Sequence, residues 1–141
     1  MAEAQKNIHA TAVAHGQNGC LITGPSGSGK SALALQLMAY GCALVSDDQV
    51  EVLNRHGQLL ARAPNAISGL IEARGVGILA AQSVAVARIS FIVDMETVED
   101  VRFPSALQTQ LLGVTVPLVH KVEMPHFPAA VLQYLKGGRA K

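Results

Sequence analysis

The sequence predicts an α/β fold in which a β-rich mixed sheet surrounds one buried helix, and three observations carry that expectation. The first is Gly24-Pro25-Ser26-Gly27-Ser28-Gly29-Lys30-Ser31, which fits the pattern G-x-x-x-x-G-K-[ST] at every fixed position. The second is its setting. The apolar run Cys20-Leu21-Ile22-Thr23 suits a buried strand, and residues 31–40 read as a helix. The third is the remainder of the chain, a series of short apolar or alternating runs bounded by Gly, Pro and Asn. Strand, glycine-rich loop and helix in that order make a P-loop nucleotide-binding domain, its sheet built around the P-loop helix.

The elements follow in order. Residues 1–7 are polar and Ala-rich and are expected to fray. Residues 8–14 alternate loosely ahead of a turn at 16–19, a β-hairpin whose second strand delivers the P-loop. The helix carries Leu33, Ala34, Leu35, Leu37 and Met38 on nearly all sides, so it should be largely buried, with Gly41 capping its end. Ala43-Leu44-Val45-Ser46 is a second buried strand that runs into Asp47-Asp48. Residues 50–53 and 58–61 form a hairpin around Asn54-Arg55-His56-Gly57. Between 64 and 80, Pro64, Gly69, Gly75 and Gly77 interrupt any regular pattern. Residues 89–94 are a strong strand, 102–105 a turn, and two strands follow around 108–112 and 114–122. Residues 127–136 read as a short closing helix before a flexible basic end at 137–141. Neither repeat nor linker divides the chain, so residues 1–141 are expected to form one domain.

Composition narrows the function. With 141 residues, half of them hydrophobic, the chain has enough apolar mass for an ordered core. A net charge of +1 without a basic run, and 4% aromatic residues, argue against nucleic acid as a partner. Cys20 and Cys42 lack metal or redox spacing and suit a core in a reducing compartment. No stretch has signal-peptide or membrane-spanning character, so a cytoplasmic location is expected.

The chemistry-bearing residues fall in three stretches. In the P-loop, backbone N–H groups and the helix N-terminus make a nest for phosphate, Lys30 reaches the β- and γ-phosphates, and Ser31 offers a hydroxyl to magnesium. Asp47 and Asp48 close the strand after the P-loop helix, at a sheet end that faces the ligand crevice in such folds. Adjacent residues on an extended chain point opposite ways, so the two carboxylates take different tasks. One is suited to a magnesium-bound water and the other to accepting a proton from an attacking hydroxyl. Asp48 lies 18 positions past Lys30, earlier than the magnesium-linked Asp of signalling GTPases, and no Asn-Lys-x-Asp element for guanine is present. A kinase therefore fits better than a GTPase switch. The third stretch is Ile71-Glu72-Ala73-Arg74-Gly75-Val76-Gly77-Ile78. Extended, it puts Glu72 and Arg74 on one face, a carboxylate to complete magnesium coordination and a guanidinium to steady phosphoryl charge.

In this order and spacing, the three stretches resemble the catalytic domain of the HPr kinase/phosphorylase family, whose signature region is similar to residues 71–78. His9 stands 15 residues before Gly24, where the family has its active-site His. Val101-Arg102-Phe103-Pro104 and Leu111-Leu112-Gly113-Val114-Thr115-Val116-Pro117 are similar to short alphaproteobacterial-type members. The resemblance covers roughly residues 8–120. It implies an enzyme that uses ATP and Mg2+ to phosphorylate a seryl residue of HPr, the small phosphocarrier protein of the sugar phosphotransferase system. Phosphorolysis with inorganic phosphate, releasing pyrophosphate, is the implied reverse reaction. Carried over by motif, Lys30 contacts phosphates and Ser31 and Glu72 bind magnesium. Asp48 is base for the kinase and acid for the phosphorylase, supported by His9, Asp47 and Arg102. A homo-oligomer is a further expectation.

The sequence also departs from the family. The separate N-terminal domain of full-length members has no counterpart in these residues. Where the family has a basic Gly-Arg-Asn stretch after the Val-Pro element, this chain has Leu118-Val119-His120-Lys121, with Lys121 the comparable charge. Two other readings stay open at this point. A small-metabolite kinase of the shikimate or gluconate type also has an early Asp, although it needs an Arg-rich lid. A non-catalytic ATP-sensing module needs only the P-loop.

Overall fold

A computed structural model describes residues 4–141, and the fraying expected for residues 1–3 lies outside the described residues. Residues 4–7, also expected to fray, instead belong to β1 (Ala4–Ile8), which pairs antiparallel with β5 (Val50–Arg55). The polar composition misleads there because β1 is an edge strand whose residues 4–7 are all exposed.

The remaining strands are β2 (Ala10–His15), β3 (Asn18–Thr23), β4 (Ala43–Ser46), β6 (Gln58–Arg62), β7 (Leu70–Ala73), β8 (Gly77–Ala80), β9 (Ala87–Val98), β10 (Leu107–Leu111) and β11 (Val114–Lys121). Two helices, α1 (Lys30–Ala39) and α2 (Phe127–Gly137), complete the described residues apart from a short 3-10 turn at Asn65–Ile67. The main sheet runs β1-β5-β6-β9-β3-β2-β4, with β11 paired to β9 and β10 paired to β11. It is mixed and curled. β3, β9 and β11 are mutually parallel, and the other pairs are antiparallel.

One feature of the register decides where the site forms. Ile8 faces Val50, and Ala12 faces Ser46, four residues on in one strand and four back in the other. The pairs β1/β5 and β2/β4 are therefore halves of one antiparallel ribbon with a common register across the break. Between the halves the ribbon creases. His9 alone separates β1 from β2, and Asp47, Asp48 and Gln49 separate β4 from β5. The amide of Gln49 donates to the carbonyl of Asp47 at 2.8 Å, and Asp48 has φ +69°, which describes a γ-turn centred on Asp48. The Ser46 hydroxyl donates to the Gln49 carbonyl and closes the same turn.

The period-two alternation along β3 and β9 splits the core between the two faces of the sheet. Cys20, Ile22, Phe91 and Val93 point to the face covered by α1 and α2, while Leu21 and Ile92 point into the curl with Val52 and Leu59. Helix α2 presents Phe127, Val131 and Leu135, spaced at i, i+4 and i+8, and Phe91 stacks on Tyr134 with ring centroids 4.3 Å apart. Helix α1 buries Leu33, Ala34 and Leu37 but exposes Ala32, Gln36 and Ala39. It is buried on one face rather than on nearly all sides. It lies outside the sheet, so its apolar residues outnumber the positions that the fold covers. Gly41 follows the helix with φ +105° and its amide donates to Met38, as the expected cap requires.

Residues 64–80 hold more structure than their glycines suggest. β7 and β8 form a separate two-stranded hairpin, and Ile71 and Ala73 are buried while Glu72 is exposed. Short strands whose burial depends on a neighbouring helix carry little periodicity of their own.

Candidate active site

The P-loop leaves the end of β3 at Gly24, whose φ of +143° suits glycine alone. A Cβ there would lie 2.6 Å from the Ser28 hydroxyl oxygen. The Ser28 amide donates to the Pro25 carbonyl at 3.1 Å and Leu33 donates to Gly29 at 2.9 Å, so the loop passes directly into α1. Lys30 is 7% exposed, and its ammonium donates to the carbonyls of Gly24 (2.8 Å) and Pro25 (3.1 Å). Lys121, at the end of β11, donates to the Ser28 carbonyl at 3.3 Å. Two ammonium groups thus hold the loop carbonyls from below, which leaves loop amides and the first turn of α1 for an anion.

The crease supplies the acids. Asp47 is buried, and its Oδ1 accepts hydrogen bonds from Thr11 Oγ1 (2.9 Å) and Ser31 Oγ (2.7 Å). Its Oδ2 accepts from the Glu72 amide at 2.9 Å. One carboxylate therefore joins three separate elements, β2, α1 and β7. The Thr11 hydroxyl, fully buried, also accepts from the Asp48 amide at 3.4 Å. Asp48 turns the other way. Its side chain is exposed and lies 3.2 Å from His9 Nδ1 across the crease. The opposite orientation expected of adjacent acids is present, but the γ-turn produces it rather than the alternation of an extended strand.

These elements enclose a pocket of ≈ 240 Å³ lined by Gly27, Lys30, Ser31, Asp48, Glu72 and Arg74, together with other P-loop residues. Six of the candidate side chains, Ser26, Lys30, Ser31, Asp48, Glu72 and Arg74, meet there, with Asp47 beneath the pocket and His9 behind Asp48. Arg102 does not join them. It lines a separate cavity of ≈ 680 Å³, and its guanidinium lies 5.1 Å from the centre of the Phe103 ring. β9 continues to Val98, past the end of its pairing with β3 at Asp94, and Arg102 lies in the loop that follows this extension. The support of Asp48 by Arg102, expected from the resemblance, is absent from this arrangement.

Among the described residues, no group of three or more His, Cys, Asp or Glu gathers as a metal site. A hard cation that shares ligands with nucleotide phosphates needs only one or two carboxylates, because it keeps waters and phosphate oxygens. The Ser31 hydroxyl, the exposed Glu72 carboxylate and the hydrogen-bonded Asp47 fit that donor set. Thr11 is the residue that sequence reasoning missed. A threonine in an apolar strand carries no signal until the pairing of β2 with β4 puts it opposite Asp47.

Comparison with known proteins follows the same line. A family model described as "HPr Serine kinase C-terminal domain" matches residues 1–125. An HPr kinase/phosphorylase of Limosilactobacillus reuteri is 40% identical over 134 residues, covering 86% of this chain and 41% of that protein. One from Clostridium beijerinckii is 43% identical over 75 residues, covering 53% of this chain and 25% of that protein. The chain thus spans less than half the length of these relatives. A structure titled "Structure of the Hpr(Ser) kinase/phosphatase from Coxiella burnetii" superimposes with a TM-score of 0.78 at 23% identity. The match covers 93% of this chain and 94% of that one, a likeness of fold.

Proposed function

This chain belongs to the HPr serine kinase C-terminal domain family, and from that premise we propose that it is a magnesium- and ATP-dependent serine kinase of HPr. The observation that carries the reading is the position of Asp48. It stands exposed on the wall of the phosphate pocket with an imidazole at 3.2 Å, while its neighbour Asp47 is committed to Ser31. A buried acid that orients the Ser31 hydroxyl and an open acid free to accept a proton suit phosphoryl transfer to a hydroxyl.

In the proposed reaction the P-loop amides and Lys30 hold the nucleotide phosphates. Magnesium, held by Ser31 and Glu72, would neutralise charge on those phosphates. Asp48 accepts the proton of the seryl hydroxyl as the serine oxygen bonds to the γ-phosphorus, and the bond from that phosphorus to the β–γ bridging oxygen breaks, leaving ADP. His9 orients the Asp48 carboxylate, and Arg74 steadies charge on the transferring group. In the reverse direction a protonated Asp48 returns its proton to the serine oxygen as phosphate attacks and pyrophosphate forms. One domain, a cytoplasmic location and assembly into a homo-oligomer belong to the same proposal. No helix among the described residues is long and apolar enough to cross a membrane.

The test is incubation of the purified chain with HPr, magnesium and γ-labelled ATP. Label on a serine of HPr, absent with Asp48→Asn, is the expected result. A folded protein that binds ATP yet transfers nothing to HPr overturns the reading. Repeating the assay from phosphorylated HPr with inorganic phosphate measures the reverse step by pyrophosphate release.

A further inference from the structure

On the face of the sheet opposite α1, a further cavity of ≈ 510 Å³ opens beside the crease. Leu21, Ile92 and Leu118 line its apolar floor. Its two sides differ in charge. Lys6 and His9 stand on the β1 side, and Asp94 and Glu96 on the β9 side. The flanking strands are edges among the described residues, since β1 pairs only with β5 and β10 only with β11. His9 lines this cavity while its partner Asp48 lines the phosphate pocket, so the acid–imidazole pair is the wall between the two.

Register gives the scale. Asp94 lies opposite Thr23 on β3, and Thr23 lies opposite Ala10 on β2, next to His9. Two strand spacings put the acidic wall about 10 Å from the crease. Asp94 is held in place there, since its Oδ1 accepts the Glu96 amide at 2.9 Å. In the proposed reaction the nucleotide phosphates occupy the P-loop side of Asp48, which leaves its His9 side, where this cavity lies, for the acceptor hydroxyl.

We propose that the cavity is the docking cleft for the acceptor protein, whose serine-bearing surface places a lysine or arginine against Asp94 and Glu96, about 10 Å from the target hydroxyl. The inference rests on the kinase reading above. The apolar floor supplies general affinity, and the polarised walls fix the orientation in which the serine meets Asp48. Charge pairs on an interface rim act mainly on encounter and register, so their removal affects acceptor binding rather than chemistry.

Calorimetric titration of the full chain with unphosphorylated HPr tests this without requiring turnover. Asp94→Asn and Glu96→Gln should each weaken HPr binding by up to about fivefold, the range for exposed ion pairs, and the double variant should weaken it further. ATP affinity should not change, which also shows that the variants fold. In steady-state transfer the loss should appear in KM for HPr, with kcat within about twofold of wild type. Added salt should weaken HPr binding to wild type more steeply than to the double variant. A double-mutant cycle should couple Glu96 only to basic HPr residues about 10 Å from the phosphorylated serine. Unchanged HPr binding by the double variant overturns the cleft, as does a fall in kcat at constant KM. Binding that depends on the two carboxylates without transfer would leave the cleft standing and break the kinase reading instead.

Discussion

The P-loop is built from eight consecutive residues, Gly24 to Ser31. The acid–imidazole pair opposite is assembled from His9 and Asp48, 39 positions apart. The two regions are stabilised differently. The loop depends on backbone conformations that few residues but glycine adopt and on lysines that hold its carbonyls. The crease depends on one buried carboxylate, Asp47, which accepts three hydrogen bonds from three elements. Damage to the loop should therefore appear as lost ligand binding. Damage to the crease should appear as lost chemistry or lost stability, with the ligand still bound.

The largest effects test that division directly. Lys30→Ala should weaken ATP binding and lower the transfer rate by about 10²–10³-fold, the usual range for removing a preorganised donor to transition-state charge. Asp48→Asn should lower kcat by about 10²–10⁴-fold, as expected for loss of a general base, while ATP affinity measured by titration stays within twofold. If Asp48→Asn lost ATP affinity as severely as Lys30→Ala, the two regions would form one unit and the contrast would fail.

Thr11 gives a smaller and more specific effect. Thr11→Val keeps the shape but removes a buried hydroxyl that donates to Asp47 and accepts from the Asp48 amide. Leaving those groups short of a partner should cost about 1–3 kcal/mol in urea denaturation, with Thr11→Ser recovering most of it. The γ-turn makes the opposite prediction for its central residue. Asp48→Gly should stabilise the fold by about 1 kcal/mol, because glycine tolerates φ +69°, and should abolish transfer. A destabilised Asp48→Gly protein would show that the turn holds no strain.

A further effect, confined to alkaline pH, concerns a residue outside both regions. Burial pushes the Cys20 thiol far above its ordinary value, with the neighbouring Cys42 adding to the rise. The folded state keeps that proton when the unfolded chain has lost it. This contribution to stability is complete below the thiol's ordinary value of 9.0 and fades as pH rises above it. Stability measured between pH 8 and 11 should fall with a slope approaching about 1.4 kcal/mol per unit from this group, and Cys20→Ala should flatten it.

The P-loop, the helix after it and the hairpin around His56-Gly57 were legible because each is local. Their residues determine their own conformation through glycine, turn chemistry and apolar spacing. The crease was legible only in pieces. Asp47-Asp48 ended an apolar strand visibly, and His9 could be placed only through the family resemblance. Thr11 was silent, and Arg102 pointed to the site in sequence while its loop carries it elsewhere. Their positions depend on strand register, which long-range pairing sets and local spacing does not encode.

By itself, then, the amino-acid sequence marked Gly24–Ser31 as a loop of phosphate-binding pattern and put Asp47 and Asp48 at the end of the strand after its helix, since contiguous backbone and short-range geometry suffice for that. Tertiary structure alone decided which of the two acids opens to the pocket. The ribbon that joins residues 4–15 to 43–55 had to fold onto the curled sheet. The turn that lets it do so buries Asp47 against Ser31 and turns Asp48 outward to His9.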